Sequence, residues 1–230
     1  MTVANTLQRE LARAKVGERV SSEHEIASRF GLNRLTARAA LDELERRYLV
    51  RRVQGHGTYV ARRVDYRVGP LAPASWSETV RAAGGQPRSE LESIRARRAP
   101  VSVARELALG EQDRVWLVAR RRYVDGELAG CADTYVPVEL APDLPKRLAS
   151  DGSLTATLTE RYDAEPVRGS YRAELQLPPD RIAQRLGLDD RPWMLLTQGR
   201  SDCRRRSRPL ELSTVWLRAD VFRLVVEFGA

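Results

Sequence analysis

Apolar residues in the first quarter of the chain recur three or four positions apart, which is the spacing of one face of an α-helix. This pattern predicts three helices, beginning near Val3, at Ser22 and at Asn33, of which the first runs to Ala14. Their apolar faces comprise Leu7 and Leu11; Ile26, Ala27 and Phe30; and Ala37, Ala40, Leu41, Leu44 and Tyr48. Short amphipathic helices in succession indicate a small helical domain.

Local signals mark the helix ends. Ser22 and Glu25 have the spacing of a capping box, in which a hydroxyl and a carboxylate bond the free amides at a helix start. Gly31 suits the left-handed position after the second helix. Asn33 suits the N-cap of the third helix.

A hairpin and a linker are predicted next. Val50–Val53 and Thr58–Val60 read as two short strands, because the glycines of Gly55-His56-Gly57 permit a tight reversal between them. The segment Asp65–Ala74 contains glycine and proline and has no apolar period, which predicts a linker. The predicted domains are therefore 1–64 and 75–230, joined by the linker 65–74.

The rest of the chain consists mainly of long β-type segments. The predicted strands are Glu90–Arg97, Trp116–Val124, Ala129–Val136, Gly169–Leu177, Met194–Asp202 and Pro209–Leu217. The predicted helices are Trp76–Ala83 (capped by Ser75 and stopped at Gly84), Val101–Leu109, Ser153–Tyr162 and Pro179–Leu186. Hairpins with few crossover helices predict an α+β domain with a mainly antiparallel sheet.

The two predicted domains differ in net charge. Residues 1–64 contain 13 Lys and Arg against 7 Asp and Glu, a net charge of +6 out of +8 for the whole chain. A small basic domain beside a nearly neutral one suggests a polyanion-binding head, although an arginine-rich proteome is an alternative explanation. We expect no membrane span and no secretion signal. Cys131 and Cys203 are far apart, which argues against a disulfide framework and suits a reducing cytoplasm.

The second and third helices, joined by Gly31-Leu32, predict a helix-turn-helix. Such a unit places the start of its second helix in the major groove, where arginine pairs bidentately with guanine. The alternative is a small helical bundle with a solvated polar surface. The candidate DNA contacts are His24, Asn33, Arg34, Leu35, Thr36, Arg38, Gln54, Gly55, His56 and Gly57.

Residues 21–60 resemble the winged helix-turn-helix of the GntR family of bacterial transcription regulators. The matching residues are Asn33, Arg34, Thr36 and Arg38 at the start of the third helix, and Gly55, Gly57 and Thr58 in the wing. His24 and His56 stand where the family usually has arginine, so each position loses a fixed charge. Partial protonation of these histidines is a hypothesis that would make DNA affinity pH-sensitive.

Residues 75–230 resemble the UTRA ligand-binding domain of the HutC branch of that family, whose fold is similar to that of chorismate lyase. The matching residues are Arg120, Arg122, Asp125, Gly126, Tyr135, Pro137, Ser153, Leu154, Pro209, Glu211 and Ser213. The resemblance implies an effector pocket formed by Ser75, Trp76, Arg120, Arg122, Asp133, Tyr135, Ser153, Thr155, Glu211 and Ser213.

The residues themselves also indicate an anion site. Arg120 and Arg122 are two apart and therefore face the same side of a strand. Two guanidiniums near the hydroxyls of Ser75 and Ser153 and a helix N-terminus suit a phosphorylated or carboxylated molecule. Glu211 is a candidate acceptor at the other end of that molecule. The alternative is an exposed basic strand edge that discourages aggregation.

Departures from the branch pattern narrow the range of expected effectors. Thr155 and Leu217 stand where the branch often has tyrosine, and Ala132 stands where sugar-phosphate binders often have glutamate. Residues 131–135 and 217–220 instead resemble the phosphonate-utilisation regulators of the PhnF type. That resemblance implies a phosphonate, a phosphate or a related oxyanion as effector.

Together these patterns predict a ligand-responsive regulator that represses transcription and binds a palindromic operator as a homodimer in the cytoplasm. Its predicted partners are double-stranded DNA and a small anionic effector, with no membrane. The competing class is a chorismate-lyase-like enzyme acting on a small anionic substrate. Both histidines lie in the first domain, and the second contains no glycine-rich phosphate loop or nucleophile elbow. We therefore predict no catalytic residue, metal or cofactor.

Overall fold

The computed structural model describes residues 2–53, 55–61, 63–69, 75–148, 152–189, 191–205 and 208–226. It divides the chain into two compact units, residues 1–63 and 64–230. The first unit is a helical bundle with a hairpin, and the second is built around an antiparallel sheet. The predicted α+β organisation is confirmed.

The first unit contains three helices and one hairpin. These are α1 (Val3–Leu11), α2 (Glu23–Phe30), α3 (Arg34–Arg46), β1 (Val50–Val53) and β2 (Gly57–Val60). Ile26, Leu41 and Leu44 are fully buried between the helices, as the helical spacing predicts. Helix α1 ends before the predicted Ala14 because the chain turns back at Gly17, whose amide donates to the carbonyl of Val60 at 2.9 Å.

The predicted caps are present. The hydroxyl of Ser22 accepts from the amide of Glu25 at 3.3 Å, and the carboxylate of Glu25 accepts from the amide of Ser22 at 2.6 Å. Gly31 adopts the left-handed conformation with a φ of 64°. Tyr48, predicted on the face of α3, instead lies in the turn after the helix with a φ of 57°. The buried face of α3 therefore ends at Leu44.

A six-stranded antiparallel sheet with the strand order β4-β5-β6-β9-β8-β7 forms the centre of the second unit. Its strands are β4 (Pro87–Arg98), β5 (Arg114–Val124), β6 (Glu127–Pro137), β7 (Pro166–Gln176), β8 (Met194–Cys203) and β9 (Arg208–Arg218). The helices of the unit are α4 (Trp76–Ala82), α5 (Val101–Glu106), α6 (Leu144–Arg147), α7 (Leu154–Tyr162) and α8 (Asp180–Leu186).

Apolar clusters cover both faces of the sheet. Leu154 and Leu158 of α7 pack in one cluster with Val118 of β5. Ile182 of α8 packs in another cluster with Cys131 of β6. Since Val118 is opposite Thr134, and side chains alternate along β6, these two clusters lie on opposite faces of the sheet.

The predicted linker 65–74 is wrong in its first half. Val64–Val68 form a strand, β3, which pairs in parallel with the last strand, β10 (Phe222–Val226). Asp65 also forms an ion pair with Arg223 at 2.6 Å. The sequence did not predict this strand because its partner lies at the other end of the chain. Residues 70–74 lie outside the described residues.

Two further differences concern short helices. Helix α6 was not predicted. Ser75 precedes α4, but its hydroxyl makes no capping bond, and its buried carbonyl instead accepts from the hydroxyl of Thr79 at 3.1 Å. Ser153, by contrast, does cap its helix, because its hydroxyl accepts from the amide of Ala156 at 3.3 Å.

Candidate DNA interface and effector pocket

The start of α3 presents its side chains to solvent. Leu35 is 74% exposed, and the side chains of Arg34 and Arg38 are 74% and 54% exposed. Asn33 Oδ1 accepts from the amide of Thr36 at 2.8 Å and from its hydroxyl at 2.9 Å, which leaves the side-chain amide of Asn33 as a donor. These exposed groups form no part of the apolar core of the unit.

A groove of about 450 Å³ runs between the helices and the hairpin of the first unit. Of the predicted DNA contacts, His24, Arg34, Arg38, Gly55 and Gly57 line it. His56 lies in the turn of the hairpin, where its carbonyl accepts from the hydroxyl of Tyr59 at 2.9 Å. Gln54 lies outside the described residues.

Arg19 and Arg52 also line this groove, and the sequence analysis missed them. A Cβ atom on Gly57 would lie 3.3 Å from Nε of Arg19, so the guanidinium of Arg19 crosses the tip of the hairpin. Arg52 pairs with Asp42 and with Glu45. No helical or strand period distinguishes a groove-lining arginine from a solvated one, so neither arginine could be predicted as a site residue.

Glu23 is the acidic side chain in the same groove. It accepts from Nε of Arg38 at 2.8 Å, from Nη2 of Arg38 at 3.2 Å and from Nε of Arg34 at 3.3 Å. The hydrogen bond from Arg38 holds the pKa of Glu23 below its usual value, and Arg34 adds to that effect. Glu23 therefore stays ionised at neutral pH and links the two arginines.

The second unit contains a small, strongly basic cavity of about 60 Å³. It is lined by Tyr66, Trp76, Arg120, Arg122, Thr155, Arg168, Tyr171, Thr197, Gly199, Arg200, Ser201, Glu211, Ser213 and Val215. Four arginines and one carboxylate thus surround a space large enough for only a few atoms. We call it the arginine pocket.

Arg120 and Arg122 lie side by side on β5 and are 4% and 7% exposed. Their Nε atoms have no hydrogen-bond partner among the described residues. Arg122 does donate to the hydroxyl of Ser89 at 3.2 Å, and its guanidinium lies 4.8 Å from the centre of the Trp76 ring. The sequence alternative of an exposed strand edge is wrong, because both side chains are buried and β5 is paired on both sides.

Burial dominates the electrostatics of the arginine pocket. It lowers the pKa of Arg120 to about 10, although Glu211 acts in the opposite direction. Burial also lowers the pKa of Arg122 well below its usual value, and the positive charge of Arg120 lowers it further. The pKa of Glu211 is raised by burial, against the effect of Arg120 and of a hydrogen bond from Ser201. Excess positive charge in a desolvated space favours an anion.

A larger cleft of about 790 Å³ adjoins the arginine pocket and shares Thr155, Arg168 and Tyr171 with it. Arg168 connects the two spaces, with its guanidinium 5.2 Å from the ring centre of Tyr171 and 5.9 Å from that of Tyr66. Glu78 and Glu165 line the cleft, and Glu165 pairs with Arg204 at 2.8 Å. A ligand larger than the arginine pocket has room to extend into this cleft.

The structure brings together six of the ten predicted effector residues. Trp76, Arg120, Arg122, Thr155, Glu211 and Ser213 line the arginine pocket. Ser75 and Ser153 lie at helix starts and do not line it.

Asp133 and Tyr135 were wrongly predicted to share the pocket, because their side chains lie on the other face of the sheet. Arg120 is opposite Ala132, so its neighbour Asp133 points away and instead pairs with Arg185 of α8 at 2.8 Å. Tyr135 packs on that same face with an apolar cluster that includes Leu212. The pocket residues that the sequence analysis missed are Tyr66, Arg168, Tyr171, Thr197, Gly199, Arg200, Ser201 and Val215.

The described part of the chain contains neither a candidate metal site nor a candidate membrane-spanning helix. None of its clusters of histidine, cysteine, aspartate or glutamate is arranged to hold a metal ion. None of its helices has the length and apolar character needed to cross a membrane.

Family models match both units. The model described as "UTRA domain" matches residues 82–223, and the model described as "Bacterial regulatory proteins, gntR family" matches residues 2–60. These matches agree with the winged helix-turn-helix and the UTRA fold predicted from the sequence. The first match covers more than half of the chain.

Individual proteins are similar over much of the length. The "Probable transcriptional regulator PhnF" of Escherichia coli (strain K12) is 29% identical over 228 residues, which covers 98% of this chain and 93% of that protein. The "Mannosyl-D-glycerate transport/metabolism system repressor MngR" of the same strain is 31% identical over 145 residues, 62% of this chain and 60% of that protein. The crystal structure of PhnF from Mycobacterium smegmatis superimposes with a TM-score of 0.69 at 27% identity and covers both chains fully.

Proposed function

Because this chain belongs to the GntR family of bacterial regulatory proteins, in the branch with a UTRA domain, we propose that it is a repressor whose operator binding is controlled by a small anionic effector in the arginine pocket. Transcription regulation and DNA binding follow from the family. The finer proposal is that phosphate-type anions, phosphonates included, are preferred, with sugar phosphates and carboxylates as the other candidates.

The observation that carries the proposal is the buried positive charge of Arg120 and Arg122 in the arginine pocket. Glu211 is the carboxylate that lines the pocket beside them, and the Nε atoms of both arginines are buried without a partner among the described residues. A buried unpaired charge costs several kcal/mol, so the ligand-free state favours any anion able to enter. Planar guanidiniums bind carboxylate and phosphate oxygens bidentately, but a phosphate-type group offers three acceptor oxygens and more negative charge, which favours it where two arginines lie side by side.

The sizes of the two spaces support a ligand with a small anionic end and a larger remainder. A cavity of about 60 Å³ suits one compact oxyanion group. Pockets for complete small-molecule ligands are usually about 300–1,000 Å³, and the adjoining cleft of about 790 Å³ lies in that range. We therefore place the phosphate-type group among the arginines and the rest of the effector in the cleft.

Strand β3 offers a route from effector to DNA. It begins at Val64, directly after the DNA-binding unit along the chain, and its Tyr66 lines the arginine pocket. The Tyr66 ring lies 6.1 Å from the ring of Tyr171. An anion that attracts Arg168 competes with the contact between that guanidinium and both rings. Effector binding would thereby change the position of β3 and, by linkage, the affinity for DNA.

The test of this proposal combines stability with DNA binding. Inorganic phosphate, methylphosphonate and glucose 6-phosphate are titrated into the full chain, with chloride at matched ionic strength as control. We expect at least one phosphate-type anion to raise Tm, since saturation at about 100 Kd stabilises a protein by about 2.7 kcal/mol. The same anion is expected to release duplexes that the protein has selected from a randomised library. An effect no larger than that of chloride contradicts the anion pocket.

The homodimer is also part of the proposal, and an exposed sheet edge supports it. Strand β7 is the last strand in the sheet order, and exposed apolar side chains gather at its end: Leu175 at 61%, Leu177 at 52% and Trp193 at 55% exposure. Apolar patches beside an open strand edge are typical of association surfaces. Two recognition helices in one dimer would fit a palindromic operator.

Replacing Leu175 and Leu177 together by lysine is expected to convert the dimer to a monomer. Each buried anchor at an interface contributes about 2 kcal/mol or more, so the two substitutions together cost about 4 kcal/mol and the dimer dissociation constant should rise by at least about a thousandfold. Sedimentation velocity over a concentration series measures this change. Val101→Lys is the control, because Val101 is an apolar side chain that is 80% exposed and lies in the first turn of α5 rather than on β7. Unchanged dimerisation of the double variant would place the interface elsewhere.

We propose no catalytic role for the arginine pocket. Residues 64–230 contain no histidine, and the pocket is lined by a single carboxylate, Glu211. General acid–base chemistry most often uses a histidine or a pair of carboxylates, and the described pocket offers neither. The proposed place of action is the cytoplasm, where the DNA is.

A further inference from the structure

We propose that Glu23 determines sequence specificity by positioning Arg34 and Arg38 for the bases of the major groove. This inference rests on the proposed role of the two arginines in reading DNA. Glu23 precedes the capping-box residue Glu25 and takes no part in that box, whose hydrogen bonds join Ser22 and Glu25 alone. Its carboxylate is thus left to act on α3.

The contacts hold both guanidiniums through the same side. Glu23 receives hydrogen bonds from Nε and Nη2 of Arg38 and from Nε of Arg34. Because Nη2 carries two N–H groups, the N–H of Arg38 Nη2 that lies beside Nη1 remains available, as does the Nη1–Nη2 end of Arg34. That end has the two parallel N–H donors that match O6 and N7 of guanine. Glu23 thus leaves the base-reading edge of both arginines unoccupied while it fixes their orientation.

Stability does not account for this arrangement. The arginine side chains are 74% and 54% exposed, and exposed ion pairs contribute little to folding. An acidic side chain in a groove that meets phosphates also weakens non-specific attraction to DNA. The carboxylate of Glu23 adds little to folding stability and opposes non-specific DNA binding. Its presence is therefore best explained by the way it orients Arg34 and Arg38.

The benefit of Glu23 for DNA recognition is that it orders the two arginine side chains before DNA binds. Arg34 and Arg38 lie one turn apart on α3 and carry like charges, so without Glu23 they would repel each other and sample many rotamers. Ordering long side chains on binding weakens an interface, and arginine loses much of its freedom when it pairs with a base. Side chains that are already ordered lose less, and only a correctly placed guanine benefits from their fixed geometry. The gain therefore appears in discrimination between sequences.

The experiment compares Glu23→Gln with Glu10→Gln in the full chain. Glu10 is the matched control because its carboxylate also pairs bidentately with an exposed arginine, Arg29, yet lies outside the groove. Each protein selects duplexes from a randomised library, and the affinity ratio between the wild-type consensus duplex and random duplex is measured, together with Tm. Both variants change the net charge by the same amount, and the ratio between consensus and random duplex cancels any electrostatic attraction that is common to all duplexes.

We expect the ratio for Glu23→Gln to fall about tenfold, with random-duplex affinity equal or higher, while Glu10→Gln keeps the wild-type ratio. In an Arg34→Ala, Arg38→Ala background the effect of Glu23→Gln should disappear, which a structural role would not produce. A wild-type ratio in folded Glu23→Gln, or an undiminished effect in that background, overturns the proposal. A wild-type protein without any sequence preference would instead overturn the reading of DNA by these arginines.

Discussion

Replacing Arg120 by methionine is expected to stabilise the ligand-free protein and to abolish its response to anions. Arg120 is 4% exposed, and its Nε has no partner among the described residues. Burial lowers its pKa only to about 10, so the side chain remains charged at neutral pH. Because the folded-state pKa of this base is lowered, the cost of burying its charge is present at every pH below about 10.

The expected gain is on the order of 1–3 kcal/mol, because the lowered pKa of Arg120 already includes its attraction to Glu211 and still reflects a net cost of burying the charge. Glu211 keeps Arg122 and Arg168 as neighbouring cations, so the variant does not leave that carboxylate uncompensated. All four tryptophans lie after residue 64, so urea unfolding followed by tryptophan fluorescence reports on the second unit alone. The rise in Tm with phosphate-type anions should be absent in the variant.

Arg121→Met is the matched control for Arg120→Met. Arg121 is the next residue on β5, so its side chain lies on the opposite face of the sheet, where it pairs with Glu92 at 3.1 Å. Its Nε is buried, as in Arg120, but its side chain is 36% exposed and its charge is paired with Glu92, so the substitution removes no unpaired buried charge. We expect no stability gain and an intact anion response. If both substitutions stabilised the protein equally, burial of the Arg120 charge would not carry the free-energy cost proposed for it.

The first unit could be predicted closely because its signals are local. The capping box at Ser22 and Glu25, the left-handed Gly31 and the helical spacing of Leu41 and Leu44 each operate within a few residues. Local hydrogen bonds and side-chain periods leave the same trace in the sequence wherever they occur. The ion pairs from Glu23 escaped prediction since they join two helices, and the sequence does not give the rotation of one helix against another.

In the second unit the strands could be predicted but the pocket could be predicted only in part. Alternation within β5 correctly placed Arg120 and Arg122 on one face. The register between strands decides which residues meet across the sheet, and a shift by one residue reverses the face. The family resemblance placed Asp133 in the pocket, whereas the register puts its neighbour Ala132 opposite Arg120. Tyr66 was missed because its strand pairs with the far end of the chain.

Replacing Arg34 by alanine is expected to weaken binding to the preferred duplex by about 1–3 kcal/mol and to relax the preference at one base pair. Arg34 is the first residue of α3, and its side chain is 74% exposed. Its ion pair with Glu23 is an exposed contact that adds little to folding. The loss should therefore appear in DNA recognition with little change in Tm. Selection from a randomised duplex library, repeated with the variant, measures the preference at each position.

Arg46→Ala is the control that distinguishes base recognition by Arg34 from the general effect of losing one positive charge. Arg46 lies in the last turn of the same helix, and its side chain is 73% exposed and pairs with Glu43. Both substitutions remove one positive charge, so both should reduce the attraction to any duplex, to a degree that depends on salt. Only a base contact makes the loss depend on sequence. If Arg34→Ala lowers the affinity for all duplexes equally, as Arg46→Ala is expected to do, Arg34 binds phosphate, and base recognition falls to Arg38 and Thr36.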